Sequence, residues 1–131
     1  MTGEKDLNIL LKTMKPTLNV GEYVFCTTDD ITQINFSDII LLFKEAGGIT
    51  VILNKSVADN LRLEYTFIAS WITLNVHSSL ESVGLTAAFS KVLAEENISC
   101  NVVAGYFHDH IFVDKKDAEK SMVILNRFSK S

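Results

Sequence analysis

The order of residue patterns after position 66 is the strongest constraint on what this chain can fold into. FIASWITLNVH, residues 67–77, alternates Trp71, Thr73, Asn75 and His77 with Ile72, Leu74 and Val76, the period of a strand with one apolar face. From Glu81 to Glu95 the period becomes helical, with Val83, Ala87, Ser90 and Ala94 along one side and Leu85, Ala88, Val92 and Leu93 widening it. ISCNVVAGYF, 98–107, is strand again, HDH reads as the turn, and IFV as the next strand. DKKDAEKSMVILNRF then makes a helix opened by Asp114, with Ala118, Met122, Leu125 and Phe128 on one side. Strand, helix, strand, strand, helix leaves an α+β layer one strand short. Residues 7–13, LNILLKT, have the apolar character to supply it, and their removal then exposes a sheet edge in the second half.

The first half is richer in strand than in helix. EYVFCTT, 22–28, is strand by residue type, whereas DDITQINFSD has no usable period and reads as loop. IILLFKE and ITVILNK flank AGG, a hairpin signal, and Ser56 to Leu61 can form a short helix capped by Asn54 or Ser56. Tyr65, Phe67 and Trp71 are candidates for one aromatic cluster where the halves meet.

Composition narrows the function classes. Of 131 residues, 47% are apolar and 21% charged, with a single proline, which is enough apolar surface to offset ordering. Asn, Thr, Ser or charge breaks the longest apolar runs well before bilayer length, and the start MTGEKDLNILLK has acidic residues where a signal peptide would be basic, so a cytoplasmic protein without membrane association is expected. Twelve basic against sixteen acidic residues, with no basic stripe, speak against nucleic acid. Cys26 and Cys100 lie far apart in strand-like segments and read as structural thiols.

The run WITLNVHSSLESVGLTAAFSKVLAEENISCNVVAGYFHDHIFV, together with LLFKEAGGITVIL and GEYVF, resembles small bacterial ACT-domain proteins. That group has two ACT-like halves similar to the regulatory region of aspartate kinases and to CASTOR-type amino-acid sensors. The resemblance implies an α+β, ferredoxin-like fold of βαββαβ type, with antiparallel sheets packed against helices. Its two interdependent halves would be a degenerate N-terminal one over 1–65 and a C-terminal one over 66–131, completed by the N-terminal strand. It also implies a non-enzymatic regulatory or sensor module that needs no cofactor, forms a homodimer and binds a free amino acid. The usual contacts map onto the loop Ser78 to Leu85, namely Ser78, Ser79, Glu81, Val83, Gly84 and Leu85, and onto Ile98 and Asn101 at the second strand. Where the family loop often has proline before glycine, this chain has Val83 before Gly84.

Read as chemistry, Ser78 and Glu81 have the S-x-x-E spacing of a capping box, and the helix-start N–H groups it would satisfy can equally hold a ligand carboxylate. Asn101 can bind an ammonium or carboxylate through its amide, or serve the sheet. His108, Asp109 and His110 form a competing signal: in extended chain the two histidines share a face and can begin a zinc or nickel site completed by Asp109 or His77, while the alternatives are a ligand or interface contact and, foremost, a solvated hairpin with structural hydrogen bonds. His77 beside Ser78 and Ser79 lacks the strained elbow and orienting carboxylate of a hydrolase. A ligand-free structural or interaction module is the alternative to a sensor, and a small metal-dependent enzyme ranks third.

Overall fold

The computed structural model describes residues 6–76 and 79–130. In chain order its helices and strands are α1 (Leu7–Thr13), β1 (Lys15–Leu18), β2 (Tyr23–Thr28), β3 (Ile39–Glu45), β4 (Gly48–Asn54), α2 (Lys55–Asn60), β5 (Ile68–Asn75), α3 (Leu85–Glu95), β6 (Asn101–Ala104), β7 (Asp109–Asp114) and α4 (Ala118–Asn126). The chain divides into two compact units, Gly21–Ala69 and the combination of Met1–Val20 with Ser70–Ser131.

The larger unit orders its strands β1–β5–β7–β6. Residues 7–13, expected as strand, are a helix instead. The Asp6 carboxylate accepts N–H bonds from Asn8 (3.0 Å) and Ile9 (3.3 Å), Leu10 is fully buried, and the helix stops before Lys15–Pro16, where proline disfavours helical backbone in the preceding residue. The strand comes just after: β1 runs antiparallel to β5 with Pro16 opposite Leu74, and it pairs on one side only, where proline's missing N–H costs no ladder bond.

The expected outline of α3 also shifts. Its first helical residue is Leu85, four positions after Glu81, and its buried side is Leu85, Phe89 and Leu93, while Ala87 and Ala94 are exposed. The large side chains at i, i+4 and i+8 displace more water than the alanines can, which decides the face that turns inward. At its end, Asn97 takes a left-handed conformation (φ 60°), its N–H bonds Ala94 O, and the Ile98 N–H bonds Leu93 O. That is a Schellman stop whose apolar partner, Ile98, is buried in the core.

HDH is not the turn. The turn is Gly105–His108, closed by the Gly105 N–H on His108 O (2.9 Å), and Asp109 and His110 already belong to β7. A Cβ at Gly105 would sit 2.8 Å from the His108 carbonyl oxygen, so only glycine fits the closure. The core of this unit joins Leu10 and Met14 to Ile72 and Leu74 of β5, Phe89 and Leu93 of α3, Ile111 and Val113 of β7, and Ile124 and Leu125 of α4.

In the smaller unit β3, β4 and β2 lie side by side, all antiparallel, and Ile68 and Ala69 pair with Val24 and Tyr23. The segment read as loop folds into two 3-10 turns, Ile31–Gln33 and Phe36–Asp38, capped by the side chains of Asp30 and Asn35. Asn54 caps α2 by accepting the Ser56 N–H at 3.0 Å, and Val24, Cys26, Val51, Leu53 and Ala58 form the core. The three aromatics serve different neighbours: Tyr65 donates its hydroxyl to Asp59 (2.7 Å), Phe67 lies against Phe25, and Trp71 stacks on Phe112.

Candidate functional site

A cavity of about 170 Å³ opens where the connection from β5 meets the start of α3. Ser79, Leu80 and Ser82 supply the loop side, while Gly84, Leu85 and Thr86 supply the helix side. Ala104 and Asp109, which pair across β6 and β7, supply the rest.

Each wall has a local cause. The Ser79 hydroxyl accepts the Glu81 N–H (3.1 Å) and Ser79 O accepts the Ser82 N–H (3.0 Å), which folds the loop into a turn rather than into helix. Gly84 is the N-cap in a left-handed conformation (φ 98°, ψ −15°) and has no side chain with which to cap. Gly84 therefore gives the opening N–H groups of α3 no side-chain acceptor, and the positive end of the helix dipole faces the same place.

Asp109 provides the opposite charge. It shares the period-2 face of β7 with Ile111 and Val113, both fully buried, so its side chain is carried toward the core side, and the residue as a whole keeps only 9% of its exposure. No hydrogen bond to that carboxylate is present among the described residues. Burial pushes the Asp109 carboxyl above the usual carboxylate range, while nearby His110 and His108 pull it partly back.

On the neighbouring residue the chemistry is already committed. His110 Nδ1 accepts the indole N–H of Trp71 at 3.0 Å and lies 3.2 Å from the Thr73 hydroxyl, whose oxygen in turn accepts from the Asn19 amide at 3.0 Å. Indole nitrogen only donates, so Nδ1 must carry a lone pair and the imidazole proton sits on Nε2. Burial lowers the His110 pKa, which agrees with a neutral ring. His108 directs Nδ1 at Val76 O, 3.4 Å away. Among the described residues no group of three His, Cys, Asp or Glu side chains is placed to hold a metal ion. Cys26 and Cys100 are free thiols, and burial pushes the Cys100 thiol up to about 11, so it stays protonated at neutral pH.

Of the residues anticipated from sequence, Ser79, Gly84 and Leu85 meet in the cavity. Glu81 and Val83 lie in the same loop outside the lining, and Val83 is exposed. Ile98 is a core residue, and Asn101 uses its amide on Phe112 O at 3.3 Å. Ser78 and His77 fall outside the described residues. The capping box does not open α3, because the helix begins beyond Glu81. Leu80 and Ser82 belong to the anticipated loop without having been singled out, Asp109 was anticipated only as one of the HDH residues that could serve a metal, a ligand or an interface, and Thr86 and Ala104 were not anticipated. Asp109 left a readable signal, an acid on the apolar side of a strand, once β7 is started one residue before His110.

This strand-to-helix corner sits in a chain matched by two family models. One ACT-domain model covers residues 2–70 and another covers residues 67–127. The chain belongs to the ACT-domain family. Its α+β, ferredoxin-like halves are ACT domains. Among solved structures, it is similar to a Vibrio cholerae protein of unknown function described as a possible transport protein. The two share 46% identity over 95% of this chain and 97% of that one, with a TM-score of 0.85. At 15% identity it shares its fold with an Agrobacterium tumefaciens protein, over 88% of this chain and 89% of that one, TM-score 0.70. The regulatory subunit of aspartate kinase from Thermus thermophilus shares the fold at 9% identity, over 89% and 97%, TM-score 0.60. No curated protein matches the chain in sequence.

Proposed function

We propose that this protein is a regulatory module that binds a free α-amino acid at the start of α3 without carrying out a reaction on it. The observation that carries the reading is Asp109, a nine-tenths buried acidic residue at a small cavity beside a helix start whose N-cap is a glycine. An α-amino acid presents an ammonium and a carboxylate joined through one carbon. Asp109 offers the ammonium its counter-charge, and the N–H groups of the first turn of α3 offer the carboxylate its donors. A carboxylate left alone at such a depth is costly, and an ammonium relieves that cost.

In this reading the C-terminal ACT half spans residues 66–131 and takes β1 as its fourth strand, supported by the β1–β5 pairing, and residues 1–65 supply the N-terminal half. A homodimer belongs to the same proposal: β3 pairs on one side only and leaves Phe43 exposed on an edge that a second copy would cover. Regulation follows if the ligand favours one arrangement of the module over another, since only differential affinity shifts an equilibrium.

The test is thermal unfolding of the purified protein with each of the twenty amino acids at millimolar concentration. A ligand at a hundred times its Kd adds about 2.7 kcal/mol to stability by linkage. At least one amino acid is expected to raise the midpoint of the wild-type protein and to leave that of Asp109→Asn unmoved. Twenty flat responses, or an equal rise in Asp109→Asn, refute the reading.

A further inference from the structure

We infer that the amino acid taken by this site is a small one with a hydroxyl on its side chain. The inference rests on the reading of the cavity as an amino-acid site, and it names the ligand from the part of the lining that the reading leaves unused.

Asp109 and the first-turn N–H groups of α3 serve the ammonium and carboxylate that every amino acid has, so selectivity falls to the rest of the wall. Three hydroxyl residues stand there, Ser79, Ser82 and Thr86. The Ser79 oxygen accepts the Glu81 N–H and keeps its own proton to donate. No hydrogen bond engages the side chain of Ser82 or of Thr86 among the described residues, so each has a donor and acceptors to offer. Ser82 is half-buried, and a hydroxyl at that depth gains more from a polar ligand than from an apolar one that leaves it unpaired.

The apolar part of the wall offers little in return. Leu85 is 3% exposed and belongs to the core, Ala104 brings a methyl group and Gly84 no side chain, which leaves Leu80 as the one large apolar side chain in reach. A single leucine cannot enclose an aliphatic or aromatic group. Space and charge narrow the class further. At about 170 Å³ the cavity holds roughly six water-sized groups at about 30 Å³ each, which suits a molecule of serine's size and leaves the end of a leucine or phenylalanine side chain outside the wall. Asp109 is the sole ionisable side chain of the lining among the described residues, so a second charge on the ligand finds no counter-ion once the ammonium is in place.

Isothermal titration of glycine, L-alanine, L-serine, L-valine, L-threonine and L-leucine into the full chain tests this. Serine against alanine and threonine against valine compare ligands that differ by a hydroxyl at nearly equal size. Each hydroxyl member is expected to bind at least about fivefold more tightly than its apolar counterpart, the factor of one well-formed hydrogen bond, and leucine no more tightly than alanine. In the double variant Ser82→Ala with Thr86→Val the ratio of serine to alanine affinity should fall to about one. The wild-type comparison decides by itself should that variant fail to fold. If amino acids bind and serine does not surpass alanine, or the ratio survives the double variant, the inference falls and the head-group site stands. If none of the six binds, both fall together.

Discussion

Gly84 is the residue on which the site's geometry turns, and Gly84→Ala has a cost that follows from its surroundings. At φ 98° an L-residue pays about 1–2 kcal/mol for left-handed backbone. A Cβ there would come within 3.0 Å of Leu7 Cδ2, which forces the leucine off its rotamer for about 0.5–1.5 kcal/mol more. The stiffer unfolded chain returns about 0.4–1 kcal/mol, so the net destabilisation is about 2 kcal/mol. With an unfolding entropy of about 2.1 cal/mol/K per residue over 131 residues, the midpoint drops by about 7 °C. Gly47→Ala is the matched control: nothing lies within 4 Å of its added Cβ and its φ is not left-handed, so its midpoint should move by less than about 2 °C. Circular dichroism melts of the three proteins give the answer. A Gly84→Ala midpoint no lower than that of Gly47→Ala would mean that α3 does not depend on this glycine, and the reasoning about an uncapped, glycine-opened helix would fail with it.

Two titrations supply the remaining predictions. Burial raises the Asp109 carboxyl pKa in the folded protein, so the favourable, protonated form is fully present below the unfolded value of about 3.9 and its stability is lost as pH rises through the folded value. Asp109→Asn should therefore be more stable than wild type at pH 7 in urea unfolding, with the gap narrowing as the solution is acidified; a variant less stable at pH 7 contradicts this. Burial lowers the His110 pKa, so stability is held above the unfolded value of about 6.5 and lost as pH falls toward the folded one, because the unfolded chain takes the proton first. His110→Gln should remove part of the stability loss between pH 7 and pH 5, and an unchanged pH profile would refute the neutral, Trp71-bonded ring.

How much of this was legible in the sequence depended on how local the deciding force was. The hairpin of β3 and β4, the strand β5 with Ile72 and Leu74 inward, and the Asn54 cap of α2 are written in neighbouring residues and could be read directly. The ACT family was readable from longer runs of residues. LNILLKT was read as strand because a seven-residue apolar run has too few turns to show a helical period; Asp6 in front of it and Pro16 behind it were the available signals for a helix. The face of α3 was misjudged since pattern counting weighs alanine with phenylalanine, whereas burial favours the larger side chain. Asp109 was hidden by the assignment of HDH to a turn. A one-residue difference in where a strand begins changes which side chains face the core, and with it the meaning of a buried acid.

The most direct test of an amino-acid site at this corner is a ¹⁵N–¹H correlation titration of the protein with L-serine and with glycine. The account predicts that the amide signals of Leu85, Thr86 and Asp109 move with either ligand, to saturation, and that they stay still in Asp109→Asn. Shifts absent from these amides, or confined to the groove formed by Val92, Ile124 and Arg127 at the other end of α3, would contradict it.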